Sequence, residues 1–270
     1  MICAYRNLDY WTTAMTQIVI PMNEWINPSS LEYFKRNPNT IKVPQTVRLS
    51  SDTLVKVMAK SFEVVTRDAH YVTFASRVIL ADRLNAKIYN EDEIFKAESA
   101  INKHFDSIND YFDTRVRQAE QKLAHAGINP DSVERVTQAY EALCTSRTAT
   151  DFLQLLTKAD IYLGMHHYLW VIGELSDNRE EAMKAKLNNE REVRNYLYSI
   201  PRVTTKNFDI LRRICNAVMA ERKVAREKQS LHDKRRMAEQ ERMAARQQEL
   251  DEMNVKRLPV VPQQAVAMSA

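Results

Sequence analysis

The chain has 270 residues, 44% hydrophobic and 27% charged, with a formal net charge of +4. That is enough apolar material for a sizeable core, and the mild basic excess permits an acidic partner such as nucleic acid without demanding one. Only 3 glycines occur, too few for phosphate-cradling loops or a large sheet with tight hairpins, so helices are expected throughout.

The 3 cysteines, Cys3, Cys144 and Cys215, are far apart in sequence. They suggest neither a disulfide framework nor a zinc module, and they fit a reducing compartment. No apolar run approaches a membrane span, and the first residues lack a basic stretch followed by an apolar one. A cytoplasmic protein with no membrane partner is therefore expected.

In chain order, residues 1–40 read as a mixed N-terminal arm. Thr16 to Ile20 is a candidate short strand, Asn27-Pro28-Ser29-Ser30 a turn or helix start, and Arg36-Asn37-Pro38-Asn39 a turn. From Ile41 to Leu49 the chain alternates: Ile41, Val43, Val47 and Leu49 fall on one side, Lys42, Pro44, Thr46 and Arg48 on the other, with Gln45 the exception. This is the pattern of a half-buried strand. Ser50-Ser51-Asp52 offers helix caps, and Leu54, Val57, Met58, Phe62 and Val65 follow at helical spacing. Thr66-Arg67-Asp68 offers a break and a fresh cap. A second helical face continues through Val72, Ala75, Ser76 and Ile79 to about Leu84, unless residues 52–84 form one helix.

A long helix is predicted from Asn90 to His125, with Ile94, Ile101, Phe105, Ile108, Phe112, Val116 and Leu123 inward and a stop at Gly127. Asn129-Pro130 predicts another helix, running to about Cys144. Thr150-Asp151 should cap an apolar helix of Phe152, Leu155, Leu156, Ala159, Leu163 and Trp170 that ends at Gly173. Ser176 should cap the next, which stops before Pro201, and Thr204-Thr205 should start the last. From 221 to 257 that helix is almost wholly polar, with only Val224, Leu231, Ala238 and Ala245 in a thin heptad. Residues 258–270 are expected to be disordered.

Few residues suggest chemistry. His166-His167 has no third ligand at helical spacing, and its metal reading is weak. Asp106, Asp110 and Asp113 share a helical face opposite Phe105, Ile108 and Phe112, which suits solvent better than acid–base work. Lys234-Arg235-Arg236 sits among interleaved charges, eleven Lys/Arg against eight Asp/Glu over 221–257, the mark of a solvated helix. No dinucleotide fingerprint, Walker loop, nucleophile elbow or kinase motif set is present, so neither an enzyme nor a cofactor is expected.

The run Val43-Pro44-Gln45-Thr46-Val47-Arg48-Leu49-Ser50-Ser51-Asp52-Thr53-Leu54 resembles the ribbon–helix–helix DNA-binding module of the Arc and MetJ repressors. The resemblance implies that two chains pair this strand and lay the ribbon in the major groove of double-stranded DNA, with Lys42, Thr46 and Arg48 toward base edges. It also implies a second helix whose start, near Thr66, Arg67 and Thr73, holds a phosphate. Pro44 inside the ribbon and the missing glycine between the helices depart from the pattern. The competing reading is an ordinary strand packed on a helical body.

A second stretch, Asp151-Phe152-Leu153-Gln154-Leu155-Leu156-Thr157-Lys158-Ala159-Asp160 and then Leu169 to Asp177, is similar to the helical region of proteins from conjugative plasmids and integrating conjugative elements. Among these are the AcaB-type regulators, which activate transfer genes. The expected protein is thus mainly α: an arm (1–40), a ribbon–helix–helix-like segment (41–85), a helical domain (86–220), an extended polar helix (221–257) and a tail. Its expected role is that of a homodimeric transcription activator, with RNA polymerase or other regulators as candidate further partners. The alternative is a helical adaptor that engages proteins.

Overall fold

The structure, a computed structural model, describes residues 19–28, 31, 32, 35, 42–81, 91–133 and 135–257. The expectations for Thr16, Ile41, the turn at 36–39, the helix end near Leu84 and the tail at 258–270 lie outside the described residues. The protein is mainly α, as composition and periodicity predict. The chain divides into two compact units, Met1–Cys215 and Asn216–Ala270.

In chain order the elements are β1 (Val19–Ile20), α1 (Met22–Trp25), β2 (Val43–Leu49), α2 (Asp52–Ala81), α3 (Glu91–His125), a 3-10 turn (Pro130–Ser132), β3 (Gln138–Cys144), α4 (Arg147–Val171) and α5 (Arg179–Arg257). The core of the first unit lies among α2, α3, α4 and the sheet. Phe62, Phe112, Phe152, Leu54, Met58, Ile94, Ile108, Leu123 and Leu156 are among its fully buried side chains. These are the positions whose helical spacing marks an inward face, and their burial is the dominant stabilising term. Trp170, expected inward, is only half-buried.

Strand order is β1-β3-β2. β2 runs antiparallel to β3 over its whole length, from Val43 opposite Cys144 to Leu49 opposite Gln138. β1 pairs parallel to β3 through Val19–Ala139 and Ile20–Tyr140. α1 is tied to the sheet by Trp25, whose indole Nε1 donates to the Glu141 carbonyl at 2.8 Å while its ring meets Phe62 of α2 edge-on.

Several sequence expectations are corrected. The helix predicted from Pro130 to Cys144 is a single 3-10 turn, capped by the Asn129 side chain, followed by β3. Gln138-Ala139-Tyr140-Glu141-Ala142-Leu143-Cys144 is rich in helix formers, yet pairing with β2 overrides propensity. α4 starts earlier than Thr150, with Ser146 Oγ accepting from the Ala149 N–H. Asn178, with its Oδ1 accepting from the Glu180 N–H, caps α5, and Ser176 stands two residues further out.

Pro201 neither ends a helix nor leaves Thr204 to start one, because α5 runs through it. A proline costs that helix a hydrogen bond. The buried Val193, Leu197, Ile200 and Leu211 on both sides hold it together. The stops at Gly127 and Gly173 are as predicted: both adopt positive φ, 75° and 83°, which glycine takes without strain.

Candidate nucleic-acid interface

β2 is two-sided over its second half, as its alternation predicts, whereas Val43, expected inward, is 49% exposed at the start of the strand. Val47 and Leu49 are buried at 3% and 1% exposure, while Thr46 and Arg48 are exposed and Lys42 is half-buried. The strand is an edge strand, with β3 on one side and no partner on the other among the described residues. An edge is also where Pro44 is tolerated, since its missing N–H costs no ladder bond there.

Two parts of the expected module are corrected. First, residues Asp52–Ala81 form one continuous helix. Thr66, Arg67 and Thr73 therefore lie mid-helix, where backbone N–H groups are already used and no phosphate cradle exists. Thr66 is fully buried, and its hydroxyl meets no partner among the described residues. Arg67 is held by Asp68 at 2.9 Å and Glu63 at 3.2 Å. Thr73 is half-buried. The sequence signal missed is the unbroken run of inward residues: Val65, Ala69 and Val72 are all buried across the proposed break. Second, β2 does not wait for a second chain to supply its ladder, because β3 of the same chain pairs with all seven of its residues.

A residue missed by sequence reading stands among the outward side chains. Thr46 is directly opposite Glu141, so the two share a face of the sheet. Glu141 is also a diagonal neighbour of Arg48, whose direct partner is Ala139.

The end of β2 is fixed by Asp160 of α4, which is fully buried. Its Oδ1 accepts from the Ser50 and Ser51 N–H groups, each at 2.9 Å, and its Oδ2 accepts from Ser50 Oγ and Arg135 Nη1, also at 2.9 Å. One carboxylate thus joins the β2–α2 turn to α4 and to the segment before β3, compensating its desolvation with four donors. Arg135 reaches it across Gly164. An added Cβ at Gly164 would lie 2.4 Å from Arg135 Cδ, so the missing side chain makes the passage.

The other candidates fall into place. Asp113 is not simply solvated, since Lys158 Nζ donates to it at 2.6 Å and Asn109 Nδ2 at 3.1 Å. Asp106 and Asp110 are exposed. His167 packs against the Trp170 ring, and His166 against Tyr162. Among the described residues no group of three or more His, Cys, Asp or Glu is placed to hold a metal, and no helix is long and apolar enough to cross a membrane.

No family model matches this sequence, and no curated protein does. Among solved structures the fold is similar to that of AcaB from uropathogenic E. coli, determined as the selenomethionine-containing protein. The TM-score is 0.52 and the identity 19%, over 68% of this chain and 86% of that one. At this identity the likeness is one of fold.

Proposed function

We propose that this chain is a DNA-binding transcription regulator that reads duplex DNA with the outward side of β2. The observation that carries the proposal is the exposed pair Thr46 and Arg48, set on a short, exposed edge strand whose opposite side is locked into the core. A two-stranded ribbon fits the major groove, and β2 with β3 is an antiparallel pair within one chain, flanked on the β3 side by the two-residue β1. Arg48 is suited to a bidentate contact with guanine and Thr46 to a hydroxyl or methyl contact. The AcaB-like fold supports the reading, as does the resemblance of residues 151–160 and 169–177 to the helical region of proteins from conjugative elements, the AcaB-type regulators among them. Dimerisation belongs to the same proposal: the open edge of β2 is self-complementary for an isologous contact, with Pro44 restricting the register.

A mobility-shift titration against DNA upstream of the neighbouring genes tests the reading. The expected result is a retarded complex that outlasts competitor DNA and weakens steeply with salt. Equal, salt-sensitive binding to every duplex would remove the regulator reading.

A helical adaptor is the second reading, and one observation favours it: β2 already satisfies one side of its ladder inside its own fold. Absence of any duplex binding, together with capture of a defined protein partner, would establish it.

A further inference from the structure

A second concave region lies away from β2, where α3, α4 and the first turns of α5 meet within residues 1–215. It is a cavity of about 230 Å³, lined among others by Arg115 and Lys122 from α3, Tyr162 and His166 from α4, and Asn189 and Glu192 from α5. The volume falls below the about 300–1,000 Å³ of drug-sized pockets, so an occupant would be a small ion or metabolite.

The polar groups around it are unbalanced toward donors. Arg115 and Lys122 bring cations, and Lys186 stands close by, with its ammonium 4.3 Å from the Trp170 ring centroid. Glu192 is the one carboxylate among the lining residues. It is engaged by Arg115 Nη2, at 3.2 and 3.3 Å from its two oxygens. Asn189 is 7% exposed. Its Oδ1 accepts from the Tyr162 hydroxyl at 2.5 Å, which turns the amide so that Nδ2 is the free end. That buried Nδ2 has no hydrogen-bond partner among the described residues. Buried amide donors are almost always satisfied, and this one, on a residue that lines the cavity, is left without an acceptor among the described residues.

We propose that this cavity binds a small oxyanion, a carboxylate or a phosphate, held by Arg115, Lys122 and the Asn189 amide. Nothing in the DNA-binding reading is needed for it, and the readout below is binding itself. His166 reports on the site. Burial first, and then the fields of Lys122, Arg115, Lys186 and His167, push its imidazole down to about 4, so it stands neutral among cations. The ionisable groups around it are Lys122 and Arg115 on α3, Lys186 and Glu192 on α5, and Tyr162 and His167 on its own helix. An anion seated there would offset the cations and raise its pKa.

The test uses the full chain. Its histidine C–H signals are followed by NMR, with His166 identified by the His166→Gln variant, while sodium phosphate or sodium malonate is added at ionic strength matched with chloride. Calorimetry runs in parallel. We expect a saturable shift of the His166 signal and an upward move of its titration midpoint. Saturation with phosphate alone assigns a phosphorylated ligand, and with malonate alone a carboxylate; saturation with both defines a general oxyanion pocket. Lys122→Glu, at an exposed position, should weaken binding by at least about tenfold, the result of exchanging an attractive charge for a repulsive one at close range. Asn189→Asp should do the same. No saturable shift with either anion, or unchanged affinity in Lys122→Glu, overturns the proposal.

Discussion

The molecule carries two regions suited to acidic partners, and they are built in opposite ways. On the outer side of β2, Thr46 and Arg48 stand exposed on a strand whose other side is core. In the α3–α4–α5 cavity, donors line a half-open concave space, and their geometry is fixed by partners such as Tyr162 and Glu192. A convex, open row suits a long polyanion, which supplies the concave surface itself. A concave cluster suits a small ion, which sheds part of its water to enter. The comparison teaches that net charge is a poor guide here. A surplus of only +4 over the chain conceals one region set on an exposed strand and another in a concave cleft.

The largest expected effects break the β2 side apart from within. Val47→Asp places a carboxylate at a position 3% exposed between sheet and core and should cost about 4 kcal/mol or more, enough to unfold the first unit. Arg48→Ala, one residue on and outward, should change stability by no more than about 0.5 kcal/mol. Urea unfolding followed by circular dichroism measures both. Equal destabilisation would show that the two sides of the strand do not differ as the exposures require.

Asp160→Ala should cost about 3 kcal/mol, since it strands Arg135 and two backbone N–H groups that face a buried carboxylate. The same change should speed amide exchange at Ser50 and Ser51 more than within α3, which hydrogen-exchange mass spectrometry resolves. Uniform loosening would mean that Asp160 serves the core generally and does not hold the strand end.

Much of this was legible in the sequence, for a physical reason that also sets the limit. Alternation along β2 and the 3.6-residue rhythm of Leu54, Met58, Phe62 and Val65 are local consequences of a two-sided element, so each predicts its own burial, except at Val43 near the strand's start, which is 49% exposed. The clamp at Asp160 is not local: its partners Ser50 and Ser51 lie 110 and 109 residues away, and no spacing rule joins them. β3 was hidden because Ala, Glu and Leu favour helix, and only β2 makes a strand of them. The resemblance to a ribbon–helix–helix module matched the strand and implied a helix break that is absent, because Thr66-Arg67-Asp68 has the composition of a cap yet is packed mid-helix. The cavity was invisible for the same reason as the clamp, since it draws on three helices at once.

For recognition itself, Arg48→Ala should weaken specific DNA binding by about 1–3 kcal/mol, the worth of a bidentate base contact, and change non-specific binding far less. Anisotropy titrations with target and scrambled duplexes read both. Equal losses on the two duplexes would reduce Arg48 to a phosphate contact.

On the cavity side, pH provides a finer probe. His166 is held down near 4, against an ordinary value of 6.5, by burial and by the cations around it. Below the unfolded value the unfolded chain takes up a proton that the folded chain refuses. The stabilisation is therefore fully present above about pH 6.5 and is lost as pH falls toward 4. His104, also lowered by burial, acts in the same direction, so the comparison must be with His166→Gln. The urea midpoint of the parent should fall more between neutral and acid pH than that of the variant. Phosphate should partly restore it, since a ligand of the folded state adds stability. Identical pH profiles would place His166 outside any coupled cluster.

The smallest effect is the most discriminating for β2. Glu141 faces the same side of the sheet as Thr46 and is diagonal to Arg48, so a carboxylate stands where the proposed interface would meet phosphates. A half-buried like charge some 7 Å from a phosphate costs about 0.5 kcal/mol in water, less with salt. Glu141→Gln should therefore tighten binding to any duplex by about twofold at low ionic strength, and the gain should vanish as salt is raised. The substitution leaves the Glu141 carbonyl, and with it the Trp25 hydrogen bond, untouched, so stability should not move. A gain on all sequences marks electrostatic proximity, whereas a gain on the target alone would mean that Glu141 had opposed a particular base. If affinity for every duplex is the same in parent and variant at low salt, DNA does not approach this side of the sheet, and the adaptor reading takes over the strand.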